Sequence, residues 1–290
     1  MTTTTVPVSV VVPTIGRIER LRACLSSLAA CCPGAGEVIV VDQSATTTVS
    51  EVVASLGRHE FRTVACERRG VAHGTNLGLQ LARHDVVLVT HDDCTVDLSW
   101  IGMAWRFMQE DPHRIVTGSV RPGGDPERVP STIEAPTARD YVHGIDFSVL
   151  FPNNMAIHRE MALELGGFDE RIPFAEDNDF CYRWLRAGHP MRYEPALVVW
   201  HHEWRGDDEL ERLYVNYAIG QGIFYAKHLR SGELAMARHV LRDLRLGCRG
   251  VVAHVVHRRP KWSDWRQGLL RGLPIGLVKG WRDFSAESRR

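Results

Sequence analysis

The stretch IPFAEDNDFCYRWLRAGHPMRYEP, residues 172–195, places Glu176, Asp177 and Asp179 within four positions where a helical pattern begins. Acids are favoured at a helix start by its unpaired N–H groups and by the macrodipole. One carboxylate suffices as the cap, and Asp179, directly before FCYRWLRAG, stands where a cap is needed. Asp177 is then available for chemistry: a carboxylate presented to a cleft by the preceding GGFDERIPF could take the proton from an attacking hydroxyl. Glu176 is open between the two roles.

Other acids and histidines fall where strands run out. In LVTHDDC, His91, Asp92 and Asp93 follow a run with no polar residue before Thr90. Adjacent carboxylates repel unless a cation or solvent screens them. A hard divalent ion that takes its remaining ligands from phosphate oxygens fits such a pair, and a solvated acidic turn is the structural alternative. Asp42, at the end of EVIVVDQS, can accept hydrogen bonds from a ribose or a base edge, or can serve as a turn residue. His201 and His202 end PALVVWHHEW. A strand points neighbours to opposite faces, so only one of them can face a given site. His201 is preferred because it is closer to the strand end.

Positioning such groups requires an open sheet. Short apolar runs at VPVSVVVPT, EVIVVDQS, EFRTVAC, DVVLVTHDD and RIVTGSV alternate with helical patterns at RIERLRACLSSLAAC, TVSEVVASLG, GVAHGTNLGLQLARH and DLSWIGMAWRFMQED. This order predicts an α/β fold, a mostly parallel sheet flanked by helices. Ligands of such sheets sit beyond the carboxyl ends of the strands, where Asp42, Gly70, Asp92 and Asp93 all fall. From Arg121 to about Gly144 the chain is rich in Pro, Gly and charge and reads as a long loop, either a lid or decoration. After Gly206 it reads as helix to the end, so the expected division is a catalytic domain over 1–205 and a helical C-terminal extension over 206–290.

Taken in order, these segments resemble family 2 glycosyltransferases, the inverting enzymes of GT-A fold. The likeness runs from about Val8 to Trp204. It rests on VSVVVPTIGRIERLRACLSSL, EVIVVDQS, RRGVAHGTNLGLQLA, VVLVTHDDC, NNMAIHREMALELGGFDERIPFAEDNDFCYRWLRAG and the histidine after ALVVW.

The resemblance implies roles. Asp42 would contact the nucleotide base, with the main chain at Pro13 and Thr14 lining the same pocket. The family's D-x-D motif reads His91-Asp92-Asp93 here, so histidine replaces the first aspartate. Asp93 would ligate Mn²⁺ or Mg²⁺, with His201 or else His202 added, and Asp92 would lie near the donor sugar or ribose. Gly70 and Asn76 fall in the donor-binding loop. Thr75 stands where many members carry arginine, and Arg69 is the candidate for that phosphate role. Asp177 would be the general base. Asn154, Gly167 and Glu176 would lie on the acceptor side. The implied reaction is metal-assisted single displacement from a UDP- or dTDP-sugar to the hydroxyl of a glycan, lipid or small molecule.

Two other functions share the fold. A sugar nucleotidyltransferase needs a glycine-rich, basic loop after the first strand, and PTIGRIER has one glycine. A non-catalytic nucleotide-sugar-binding scaffold would lose Asp93 or Asp177, and both are present, although the missing first aspartate favours it.

The bulk numbers agree with a globular protein. The 290 residues are 44% hydrophobic and 24% charged with formal net charge +0, which excludes a globally basic nucleic-acid binder. Seven cysteines, odd in number and without a CxxC pair, read as reduced thiols. MTTTTVPVSVVVP lacks a basic n-region and reads as a loose start followed by a strand. The expected location is the cytoplasm. The C-terminal helices interleave Arg238, Arg242, Arg258, Arg259 and Lys261 with Trp262, Trp265 and Trp281. Such helices either pack on the catalytic domain, make a homodimer, or lie on the inner membrane face.

Overall fold

The computed structural model describes residues 4–44, 46–142, 152–203, 205–257 and 265–284. Arg258, Arg259, Lys261, Trp262 and Trp204 lie outside them. The chain forms two compact units, Met1–Asp169 with Phe180–Glu203, and Glu170–Asp179 with Trp204–Arg290.

The first unit is built on one sheet. Strands β1 (Thr5–Thr14), β2 (Gly34–Asp42), β3 (Phe61–Ala65) and β4 (Val86–Val89) alternate with helices α1 (Ile18–Ala30), α2 (Thr48–Ser55) and α3 (Val71–Leu81). They pair in parallel, as their continuous apolar runs predict. Then follow β5 (Cys94–Val96), α4 (Trp100–Glu110), β6 (Ile115–Pro122), β7 (Arg139–Tyr141), β8 (Met155–His158), α5 (Arg159–Glu164), α6 (Glu176–Arg186), whose first four residues are assigned to the second unit, and β9 (Met191–His201). The order across the sheet is β3-β2-β1-β4-β8-β6-β9-β5, with β7 against β9.

β8 is antiparallel to both β4 and β6, and β6 is parallel to β9. With β8, and with β5 and β7 on β9, reversed, β1, β2, β3, β4, β6 and β9 run the same way. Their carboxyl ends share one edge, which carries Thr14, Asp42 and His201.

Strand alternation sends neighbouring side chains to opposite faces. Val8, Val10 and Val12 of β1 join Leu21, Leu25, Val52 and Trp100 in one core layer. Val11 joins Leu79, Phe180 and Trp184 in the other. Both faces are covered, as a largely parallel sheet requires.

Residues 121–144, read as a free loop from the sequence, are tied to the sheet where the structure describes them. Val120 and Ile133 exchange backbone hydrogen bonds at 2.8 and 2.9 Å, and β7 pairs with β9. The pairing partner lies far along the chain, so no local periodicity announces it.

The second unit holds α7 (Asp207–Arg230), α8 (Met236–His257) and α9 (Arg266–Asp283). Glycines recur every fourth residue of α9, at 268, 272, 276 and 280. A Cβ at these positions would meet the carbonyl oxygens of Tyr214, Val215 and Ile219 and the Cα of Ile223, all on α7. Two backbones thus touch without intervening side chains, as in small-xxx-small helix pairs. Among the described residues no helix is long and apolar enough to cross a membrane.

Replacing Gly276 by Val forces a branched side chain into this contact. The expected cost is ~1–3 kcal/mol of stability, read as an earlier midpoint of far-UV circular dichroism in urea; an unchanged midpoint would show that the two helices separate freely.

Candidate functional site

At the shared strand edge of the first unit, β1 ends in Thr14 and β2 in Asp42, paired in register. Asp92 and Asp93, just past β4, are 0% and 4% exposed. Two adjacent carboxylates removed from water need strong partners. Asp92 accepts from the Thr14 hydroxyl at 2.6 Å and from Nε of Arg17 at 3.1 Å, with a second, shorter contact to the Arg17 guanidinium. The guanidinium also stands 3.3 Å from Asp93. Burial pushes the Asp92 carboxyl up, against the pull of Arg17 and Thr14. Burial opposes ionisation of Asp93 too, but the neighbouring His201, with Arg17, outweighs it and holds that carboxyl well below the usual range.

His201 and His202 divide as strand alternation requires. His201 Nδ1 lies 2.9 Å from the Pro130 carbonyl, which can only accept, so Nδ1 carries the hydrogen. Nε2 then faces Asp93 Oδ1 at 3.8 Å. Neutral imidazole would set a lone pair against a carboxylate, so a cation belongs at this junction: a proton on His201 or a metal ion. The proton reading agrees with Asp93 raising the His201 pKa against the effect of burial. A backbone carbonyl that fixes the far nitrogen is also how metal-binding histidines are oriented. His202 is engaged elsewhere, with Nε2 2.8 Å from the Thr95 hydroxyl and Nδ1 2.9 Å from the Gly123 carbonyl.

Asp93 and His201 thus fit a hard or borderline divalent ion as two protein ligands. Among the described residues no three His, Cys, Asp or Glu converge as a complete cage. Mn²⁺ and Mg²⁺ commonly complete their coordination with water or phosphate oxygens.

Around this pair the edge is ordered. Asp42 Oδ1 accepts from the backbone N–H and hydroxyl of Ser44 at 2.8 and 2.6 Å. Gln43 Nε2 donates to the carbonyls of Arg68 and Gly70 at 2.6 and 2.9 Å, which ties down the loop before α3. Gly70, at φ +130°, opens α3, and Arg69 beside it is exposed. Pro13 is buried in β1. Arg17 and Gln43 were missed from the sequence; an arginine three residues past a strand that ends at a site is a usable signal, and a single glutamine gives none.

Two residues expected to contact ligands make structural hydrogen bonds. Asn154, expected on the acceptor side, is 0% exposed. It donates to the Ser119 and Leu197 carbonyls at 2.9 and 2.8 Å and accepts from Trp100 Nε1 at 2.9 Å. Its amide is fully engaged in fixing β6, β9 and α4. Asn76, expected in the donor loop, donates to the Phe168 carbonyl and accepts from the Phe168 N–H at 2.9 and 2.8 Å. It clamps the Gly166-Gly167-Phe168 turn. Gly167, at φ +66°, leaves room for the Asn76 amide where a Cβ would collide.

The acidic cluster belongs to the second unit. Helix α6 starts at Glu176, not after Asp179, so Asp179 is not the cap expected from the sequence. Its Oδ1 instead accepts from Lys227 Nζ at 2.7 Å and His228 Nε2 at 2.9 Å. Asn178 donates to Gln221 at 2.7 Å. Residue Phe174 has φ +64°, unusual for a side-chain-bearing residue, and its ring meets Tyr217 edge-on at 5.8 Å. Strained backbone held by its surroundings is a mark of functional segments.

Glu176 and Asp177 are nearly buried, and burial pushes both carboxyls up, Glu176 to about 7. The charge of Glu176 raises Asp177 further. Asp177 Oδ1 accepts its neighbour's N–H at 2.8 Å, and Glu176 Oε2 has no hydrogen-bond partner among the described residues. A carboxyl raised from 4.5 holds a proton in the folded state that the unfolded chain has released. Its stabilising effect is therefore complete below pH 4.5 and falls away as pH rises through 7. Glu176→Gln should abolish that fall, leaving the variant more stable than wild type at pH 8 by on the order of 3 kcal/mol and equal at pH 4.5. Parallel stability curves for the two proteins would refute the buried acid.

Comparison with known proteins follows the same lines. The sequence model described as "Glycosyltransferase like family 2" matches residues 6–213. A pre-mycofactocin glycosyltransferase of Mycobacterium tuberculosis is 28% identical over 210 residues, 67% of this chain and 42% of that protein. The chain thus spans less than half the length of the curated relatives it matches. The mannosyltransferase PcManGT from Pyrobaculum calidifontis, in complex with GDP-Man and Mn²⁺, superposes with TM-score 0.66 at 18% identity, covering 95% of this chain and 87% of that one. S. aureus TarS 1-349, in complex with UDP-GlcNAc, gives TM-score 0.59 at 16% identity, covering 98% and 92%. These likenesses establish the GT-A fold.

Proposed function

Because the chain belongs to glycosyltransferase-like family 2, we propose that it transfers a sugar from a nucleoside diphosphate sugar to an acceptor hydroxyl with inversion. The observation that carries this reading is the junction of Asp93 with His201 Nε2 at 3.8 Å, on the strand edge that also presents Thr14 and Asp42. Asp93 and His201 would hold Mn²⁺ or Mg²⁺, which supplies neutralisation of charge on the departing diphosphate.

The protein groups do the rest. Asp42 and the main chain at Pro13–Thr14 receive the nucleoside. Asp92, held by Thr14 and Arg17, faces the ribose or donor sugar. The start of α3 at Gly70 offers free N–H groups to phosphate, and exposed Arg69 adds charge. Asn76 acts on the donor loop through its clamp on Phe168. Asp177 takes the proton from the acceptor hydroxyl, and its raised basicity beside Glu176 suits that task. Attack opposite the leaving group inverts the anomeric centre. PcManGT is complexed with GDP-Man and TarS with UDP-GlcNAc, so relatives of this fold take both purine and pyrimidine donors. For this chain a UDP- or dTDP-sugar is the proposed donor.

A thermal-shift panel of nucleoside diphosphates and their sugars, each with Mn²⁺, Mg²⁺ or chelator, tests the donor site. A ligand at a hundredfold excess over Kd stabilises by ~2.7 kcal/mol. A shift that needs the cation and one pyrimidine diphosphate is expected, and a guanosine ligand acting alone would correct the base. The absence of any nucleotide response would leave a scaffold. Asp93→Ala should remove the cation-dependent part. Asp177→Asn should keep donor binding and lose ~10²–10⁴-fold in turnover; normal turnover would exclude it as the base.

A further inference from the structure

The exposed face of α8 consists of two stripes side by side. At about 100° per residue, Leu241, Cys248, Val252 and Val255 fall on one stripe, and Arg238, Arg242, Arg245 and Arg249 on the next. Leu241, Val252, Val255 and Val256 are 52%, 61%, 70% and 66% exposed. The opposite face is the packed one: Asp243 accepts from the Tyr225 hydroxyl of α7 at 2.7 Å, and Gly247 and Gly250 lie against Leu270 and Arg266. Among the described residues nothing covers the valines.

We propose that this face of α8 lies on an anionic lipid surface. Charge argues for that occupant. Residues 236–290 hold thirteen Lys and Arg against four Asp and Glu, in a chain whose formal net charge is zero. The arginines run along the apolar stripe itself, as in helices that rest at a lipid–water boundary with apolar side chains among the acyl ends and cations at the headgroups. A second copy meeting the same face antiparallel, about a two-fold axis perpendicular to the helix, would bring the arginine stripes together. The helix carries four arginines and does not cross a bilayer; it lies on one. None of this depends on the donor chemistry.

Sedimentation of the full chain with phosphatidylcholine vesicles, with and without phosphatidylglycerol, reads the proposal directly. Wild type should pellet with the anionic vesicles, remain in solution with the neutral ones, and be released by high salt. Arg245→Glu with Arg249→Glu should weaken binding at least ~30-fold, and Val252→Asp with Val255→Asp should abolish it. All four sites are exposed, so both variants should keep the wild-type melting midpoint. The proposal falls if wild type does not pellet, or if the variants pellet equally. It also falls if wild type is a dimer that the valine variant splits without any vesicle binding, which would give the face to a second copy.

Discussion

Two neighbouring carboxylates, Asp92 and Asp93, are buried at the end of β4, and the surrounding elements are arranged to give them partners. A charge withdrawn from water is tolerated only with partners of good geometry. Thr14 comes from the end of β1, Arg17 from the start of α1 and His201 from the end of β9. His201 reaches them only because β8 runs against both of its neighbours, which returns β6 and β9 to the direction of β4. Asn154 secures that reversal by joining Ser119, Leu197 and Trp100 through one side chain.

The first half of this arrangement was legible in the sequence, because buried parallel strands are written as unbroken apolar runs and their acids fall at the carboxyl ends. Asp42, Asp92 and Asp93 were found that way. β5, β7 and β8 were not, since each has three or four residues and depends on partners far along the chain. Amides were the least readable. Asn76 and Asn154 have the composition of ligand-binding residues, but their hydrogen bonds go to groups more than thirty positions away. Asp179 is unreadable for a related reason: a helix start explains an acid locally, while its partners lie 48 and 49 residues away.

Within the second unit, the segment Glu170–Asp179 is fastened along α7 at several levels. The Pro173 carbonyl sits where Gly220 has no side chain, Asn178 bonds Gln221, and Asp179 takes Lys227 and His228. These attachments support the positive φ of Phe174 and the crowding of two acids on the next turn. A carboxyl displaced from its ordinary pKa needs such bracing, because the same burial that raises its basicity would otherwise expel it to water.

The glycines that α9 sets against α7 have an evolutionary corollary. Four of its 18 positions are occupied by hydrogen because anything larger strikes main chain. A main-chain atom cannot be mutated away, so no compensating substitution on α7 can make room. Drift along α9 is thereby channelled to its outward positions, among them Ile275, Val278 and Lys279, which are exposed.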